Sequence, residues 1–115
     1  MEVGAEQAFL HFNQFKAFCL MLKDTQVSLG IEHFGKQFAQ MGMLYGLGLD
    51  YIKVDGMFTS EIDQNLGNQI FLHGLTEVAH NIGIQVIAEG LSNKTEHEVA
   101  LKLGFDGFTG QSIKI

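Results

Sequence analysis

Apolar positions along this chain follow two periods, and the period switches several times. Phe9, Phe12, Phe15, Phe18 and Leu22 recur every three or four residues, which predicts a helix over residues 5–23 with one broad apolar face. Val27-Ser28-Leu29-Gly30-Ile31 alternates instead, predicting a short strand over 27–31. A second helix is predicted over 37–47, with Phe38, Met41, Leu44 and Tyr45 as its stripe. Tyr51-Ile52-Lys53-Val54 is the next predicted strand. A third helix follows over 65–82, with Ile70, Leu75, Val78, Ala79 and Ile82 inward. Gln85-Val86-Ile87-Ala88 is a third strand. Asn93, with Glu96 three residues on, forms a capping box that starts a fourth helix to Leu103. Residues 105–109 are the last predicted strand.

Three of these helices end alike, at Leu47-Gly48-Leu49, Ile82-Gly83-Ile84 and Leu103-Gly104-Phe105. Glycine in the left-handed conformation closes a helix, and the next apolar residue packs back on its last turn. A strand follows each time. Helix, glycine, strand, loop and helix in repetition predict an α/β fold of four βα units on a parallel sheet.

Composition narrows the class. The chain has 115 residues, 46% hydrophobic and 17% charged, which suits one folded domain and excludes a disordered chain. The longest strictly apolar run, residues 17–22, is far short of the ~20 residues a spanning helix needs. No charged and then apolar stretch opens the chain, so no secretory signal is expected. The single Cys19, between Phe18 and Leu20, fits a reducing compartment. Net charge is 7 − 13 = −6, which argues against polymeric nucleic acid as a partner. A small anion would need local cations, backbone amides or a metal. Fourteen glycines stand against no proline.

The predicted strand ends gather the candidate chemistry. Ile31 runs into Glu32, Val54 into Asp55, and Ala88 into Glu89. In parallel α/β folds function collects at the carboxyl ends of strands, so three carboxylates there point to one crevice. The alternative is that one or two of them cap helices or sit in solvated turns. Lys53 lies two residues before Asp55 and shares its face of the strand. It is either a cation held among carboxylates or an edge-strand lysine. His33 follows Glu32 directly. Phe38 is either a stacking surface for a base or ordinary core packing. His11, His73, His80 and His97 lack metal-ligand spacing and read as surface or capping residues. No glycine-rich phosphate loop is present. Glu2, Glu6, Lys16 and Lys23 read as solvated helix faces.

Four blocks then carry a resemblance. Gly30-Ile-Glu-His-Phe-Gly35, Leu49-Asp-Tyr-Ile-Lys-Val-Asp55, Val86-Ile-Ala-Glu-Gly90 and Leu103-Gly-Phe-Asp-Gly107 stand in the order and spacing of the second half of an EAL domain. The resemblance covers almost the whole chain. It implies the last four units of a (β/α)8 TIM-like barrel of typically ~250 residues, with residues 1–115 as its carboxyl-terminal half and the first half, which bears the Glu-Ala-Leu segment, absent. It also implies binding, and in active members hydrolysis, of the bacterial messenger cyclic di-GMP. Lys53, Asp55 and Glu89 match the family pattern.

The departures matter as much. Active members carry Asp-Asp-Phe-Gly-Thr-Gly where this chain has Glu32-His33-Phe34-Gly35-Lys36-Gln37, so a metal-site aspartate is His33. A late family glutamine aligns with Thr109, in Thr109-Gly110-Gln111. Two-metal hydrolysis needs several oxygens around paired ions, so the resemblance implies no enzyme and no cofactor; Mg²⁺ or Mn²⁺ enters only if the phosphodiesterase alternative holds. Gly30 to Phe38, with Gly104 to Gly110, resembles the LapD-type receptors. That implies a degenerate, cytoplasmic cyclic di-GMP sensor of an inner-membrane protein, whose periplasmic part engages a protease that governs biofilm adhesion. It places Phe38 and Glu89 at nucleotide contacts beside Lys53 and Asp55, with Glu32 at the same crevice. Other readings are a fragment of an active phosphodiesterase, a structural half-barrel that binds no nucleotide alone, and a doubly wound receiver-like domain. Open sheet edges predict a homo-oligomer, and the chain alone is expected to bind weakly.

Overall fold

A computed structural model describes residues 1–109. Five parallel strands form one sheet in sequential order: β1 (Glu2–Gly4), β2 (Gly30–Phe34), β3 (Tyr51–Val54), β4 (Gln85–Ala88) and β5 (Gly107–Phe108). The helices are α1 (Ala5–Leu10), α2 (Phe12–Leu22), α3 (Gly56–Thr59), α4 (Leu66–Asn81) and α5 (Lys94–Leu103). Two 3₁₀ helices, Lys36–Leu44 and Ile62–Gln64, lie in the connections. Strands that pair strictly in chain order are the hallmark of a barrel segment, whereas a doubly wound sheet reverses order partway. The predicted α/β parallel class holds, and the receiver-like alternative does not.

Several boundaries differ from the periodicity. The sheet has five strands, not four, because Glu2-Val3-Gly4 is too short to show an alternation and is recruited by pairing Glu2 with Gly30. The first predicted helix breaks at His11 (φ −118°, ψ 53°), so that Phe9 tilts onto Phe34 while Phe15 and Cys19 still reach the core. The strand expected over 27–31 is 30–34, since only from Gly30 onward does a partner strand exist on either side. The helix expected over 37–47 is 3₁₀, where Gly42 and Gly46 weaken an α-helix. In α4 the buried face is Leu72, Leu75, Thr76 and Ala79; Ile70 and Val78 point outward. The glycine stops hold, with Gly48, Gly83 and Gly104 all at positive φ.

The helices cover one face of the sheet. Ile31, Ile52, Val54, Val86 and Ala88 are fully buried there against Leu72, Leu75 and Ala79. The other face carries Glu2, Gly30, Tyr51 and Gln85 in one register row. Lys53, Ile87 and Gly107 form the next row toward the carboxyl ends.

Candidate functional site

The site begins with an irregularity in β2. Ile31 pairs with Ile52 and Phe34 with Val54, so three steps along β2 oppose two along β3. The extra residue is a β-bulge, a device that re-aims side chains. His33 absorbs it at φ 56°, a left-handed conformation unusual outside glycine. Simple alternation would send Glu32 and Phe34 to one face and His33 to the other. The bulge returns Phe34 to the core, where it is fully buried, and leaves both Glu32 and His33 at the strand-end crevice. Glu32 thus lies within β2 rather than beyond its end, as the sequence had implied.

His33 is the hub. Its Nε2 lies 3.7 Å from Glu32, and its Nδ1 lies 3.9 Å from Asp55 and 3.8 Å from Glu89. Asp55 follows β3 and also caps α3, its Oδ1 accepting from the Met57 amide at 3.2 Å. The cap reading of Asp55 therefore holds, and the same side chain also stands beside His33. Glu89 follows β4, and its Oε1 is buried without a hydrogen-bond donor. Burial raises the Glu89 carboxyl above its ordinary range, against the pull of His33 and Lys53.

Lys53 faces the open side of the sheet and binds Glu2 across from β1. That hydrogen bond raises the lysine and, with the Tyr51 hydroxyl, holds Glu2 below the usual carboxylate range. Tyr51 donates to Glu2 at 2.7 Å. Its ring lies over Gly30, where a Cβ would fall 2.1 Å from the ring, so glycine there makes room for the reach. Glu2 is the member of this group that sequence reasoning missed, placing it on a solvated helix. Its signal was Gly4, a break between one strand turn and the following helical stripe.

Burial and the Glu2 carboxylate push the Tyr51 phenol up to about 12. An acid whose folded-state value is raised stabilises the fold below its unfolded value, near ~10, and loses that contribution as pH rises toward the folded value. Absorbance titration is expected to show a tyrosine ionising near pH 12, and Glu2→Gln to lower that midpoint. An unmoved midpoint would refute the coupling.

Phe38 stands apart from this group. Its half-buried ring packs edge-on against Phe71 at 5.2 Å, and Phe71 continues to Phe58. A crevice of about 330 Å³ lies beside the hub, lined by Gly4, Gln7, His33, Lys36, Asp55 and Phe58 among others. Lys36 adds a second cation here. Thr109 closes the described chain, its amide bonded to Ala88; Gly110 and Gln111 lie outside the described residues. The donor set does not suit a divalent ion. No group of three or more His, Cys, Asp or Glu side chains among the described residues converges closely enough to hold one.

Comparison with known proteins agrees with this architecture. The model of the EAL domain family matches residues 1–114. Cyclic di-GMP phosphodiesterase PdeB of Shewanella oneidensis is 27% identical over 92 residues, which are 80% of this chain and 11% of that protein. The chain therefore spans about a ninth of that curated relative's length. The PaMucR phosphodiesterase in complex with c-di-GMP superposes with a TM-score of 0.84 at 19% identity, covering 95% of this chain and 44% of that one. Vibrio cholerae LapD (its S helix-GGDEF-EAL portion, bound to c-di-GMP) superposes with a TM-score of 0.75 at 24% identity, covering 93% and 26% respectively.

Proposed function

Because the chain belongs to the EAL domain family, we propose that it is a cyclic di-GMP-binding module of a signalling protein and acts as a sensor without turnover. The observation that carries this reading is His33, set 3.7–3.9 Å from Glu32, Asp55 and Glu89 where active members hold an aspartate. The imidazole thus occupies the space among these carboxylates. Lys53, His33 and Lys36 then meet the phosphates, while Glu89 and Glu32 accept from guanine or ribose donors. Phe38 contributes a ring edge for a base once Phe71 gives way. By the same proposal the module works on the cytoplasmic side of an inner-membrane protein that engages a periplasmic protease in control of biofilm adhesion. That part rests on the likeness of Gly30–Phe38 to LapD-type receptors. Among the described residues no helix is long and apolar enough to cross a membrane.

Incubating the chain with cyclic di-GMP tests the core of the proposal. Calorimetry or NMR titration is expected to show binding without added metal, and no linear product with Mg²⁺ or Mn²⁺. Absence of binding at millimolar nucleotide overturns the sensor reading. Linear product formed at an enzyme-like rate favours the second reading, an active phosphodiesterase fragment, which the naming of PdeB supports. The outer edges of β1 and β5 have no strand partner among the described residues. A second copy covering them and the open sheet face is part of the proposal, and a clean monomer in sedimentation at tens of micromolar would contradict it.

A further inference from the structure

Glu96 is a buried carboxylate that the site just described does not use. It is 2% exposed, on the first turn of α5. Half of the predicted capping box holds, since Asn93 Oδ1 accepts the Glu96 amide at 2.8 Å. The Glu96 side chain does not return to the Asn93 amide. Its Oε1 accepts from the Ser92 amide at 2.7 Å and the Ser92 hydroxyl at 3.0 Å, and its Oε2 accepts from the Glu61 amide at 2.9 Å. Glu61 belongs to the loop after β3 and Ser92 to the loop after β4. The two oxygens of one carboxylate therefore lace two loops that are far apart in sequence.

Those loops start at Asp55 and Glu89. A second strap lies closer to the site, where the buried Thr59 hydroxyl donates to the Glu89 carbonyl at 2.5 Å. Between the straps Gly56 and Gly90 pack backbone to backbone, and a Cβ on Gly90 would lie 3.4 Å from the Gly56 Cα. Glu61 is held at φ 55°, a conformation that persists in a non-glycine residue only where its surroundings over-determine it. Its amide is held by the Glu96 carboxylate and its carbonyl by the Gln64 amide.

We propose that Glu96 is a positioning residue: by tying the loop of Asp55 to the loop of Glu89 it sets their separation, and so the seat of His33 between them. The inference rests on the nucleotide-binding reading for its functional consequence, but not for its geometry.

The test compares the 115-residue chain with Glu96→Gln, Glu96→Ala and, as control, Asn93→Ala, which removes the α5 cap and leaves the inter-loop link. Glutamine keeps the shape but turns an amide donor toward one of the two backbone amides. Two readouts are used: affinity for cyclic di-GMP, and the imidazole ¹H–¹³C signals of His33 without nucleotide. Both Glu96 variants are expected to weaken binding at least fivefold and to shift the His33 signals, with those of His73 and His80 unmoved. Asn93→Ala is expected to lower the melting temperature and leave both readouts unchanged. Should Glu96→Ala fail to fold, Glu96→Gln carries the comparison. Wild-type signals and affinity in Glu96→Gln overturn the proposal, as does an equal shift in Asn93→Ala. If the wild-type chain binds no nucleotide, the functional reading fails, and the His33 signals still decide the positioning role.

Discussion

Lys53→Met is expected to weaken cyclic di-GMP binding by roughly tenfold to a hundredfold. A hydrogen bond to a charged group contributes about 1.5–3 kcal/mol, and each 1.4 kcal/mol is a factor of about ten. Methionine retains the apolar stem, so the loss isolates the ammonium. Lys53 is the cation that the strands themselves present on the open face, where it neutralises Glu2 and lies in the field of Glu32 and Glu89. Without it, the carboxylates of Glu2, Glu32 and Glu89 face a phosphodiester with Lys36 as the lysine beside the crevice. The stability cost is expected to be smaller, about 1 kcal/mol or less, because the Lys53–Glu2 pair remains partly solvated at 21% and 26% exposure. Calorimetric titration beside a urea melt separates the two effects. Full affinity in the variant would remove Lys53 from the phosphate site.

Phe34→Ala is expected to have the largest effect on stability, about 3–5 kcal/mol, the range for emptying a buried phenyl position. Phe34 is fully buried, meets Phe9 at a ring separation of 6.3 Å, and is the residue that the β2 bulge returns to the core. The cavity would open at the residue next to His33 in β2, where the bulge turns the chain back to the core. Phe34→Leu, which keeps most of the volume, is expected to cost less than about 1.5 kcal/mol. Urea midpoints at constant slope check both values. A loss below about 1 kcal/mol for the alanine variant would show that Phe34 is not the anchor of the bulge.

Much of the fold was legible because its signals are local. A helix stop needs only a glycine free to take positive φ, and Gly48, Gly83 and Gly104 all do so. Capping at α5 needs only Asn93, whose side chain accepts from the amide three residues on. The acids at the strand ends were legible for a similar reason: Asp55 and Glu89 follow directly on β strands that alternate with glycine-stopped helices. What failed was non-local. The register of β2 depends on β1 and β3 pairing either side of it, and no period within 27–34 announces that. The outward turn of Ile70 follows from which side of α4 meets the sheet, and an apolar residue can stand on either.

The sequence by itself determined the repeat of βα units, the parallel sheet and the identity of the residues at its carboxyl ends. These rest on propensities and periods that act within a few residues. Only the tertiary structure decided that Glu2 belongs with Lys53 and Tyr51, that one bulge carries Glu32 and His33 to the same crevice, and that Glu96 is buried as a clasp between two loops. Each of these joins groups from separate strands or loops. Their energies come from desolvation and hydrogen bonding across the sheet, which depend on neighbours in space and leave no mark on the order of residues along the chain.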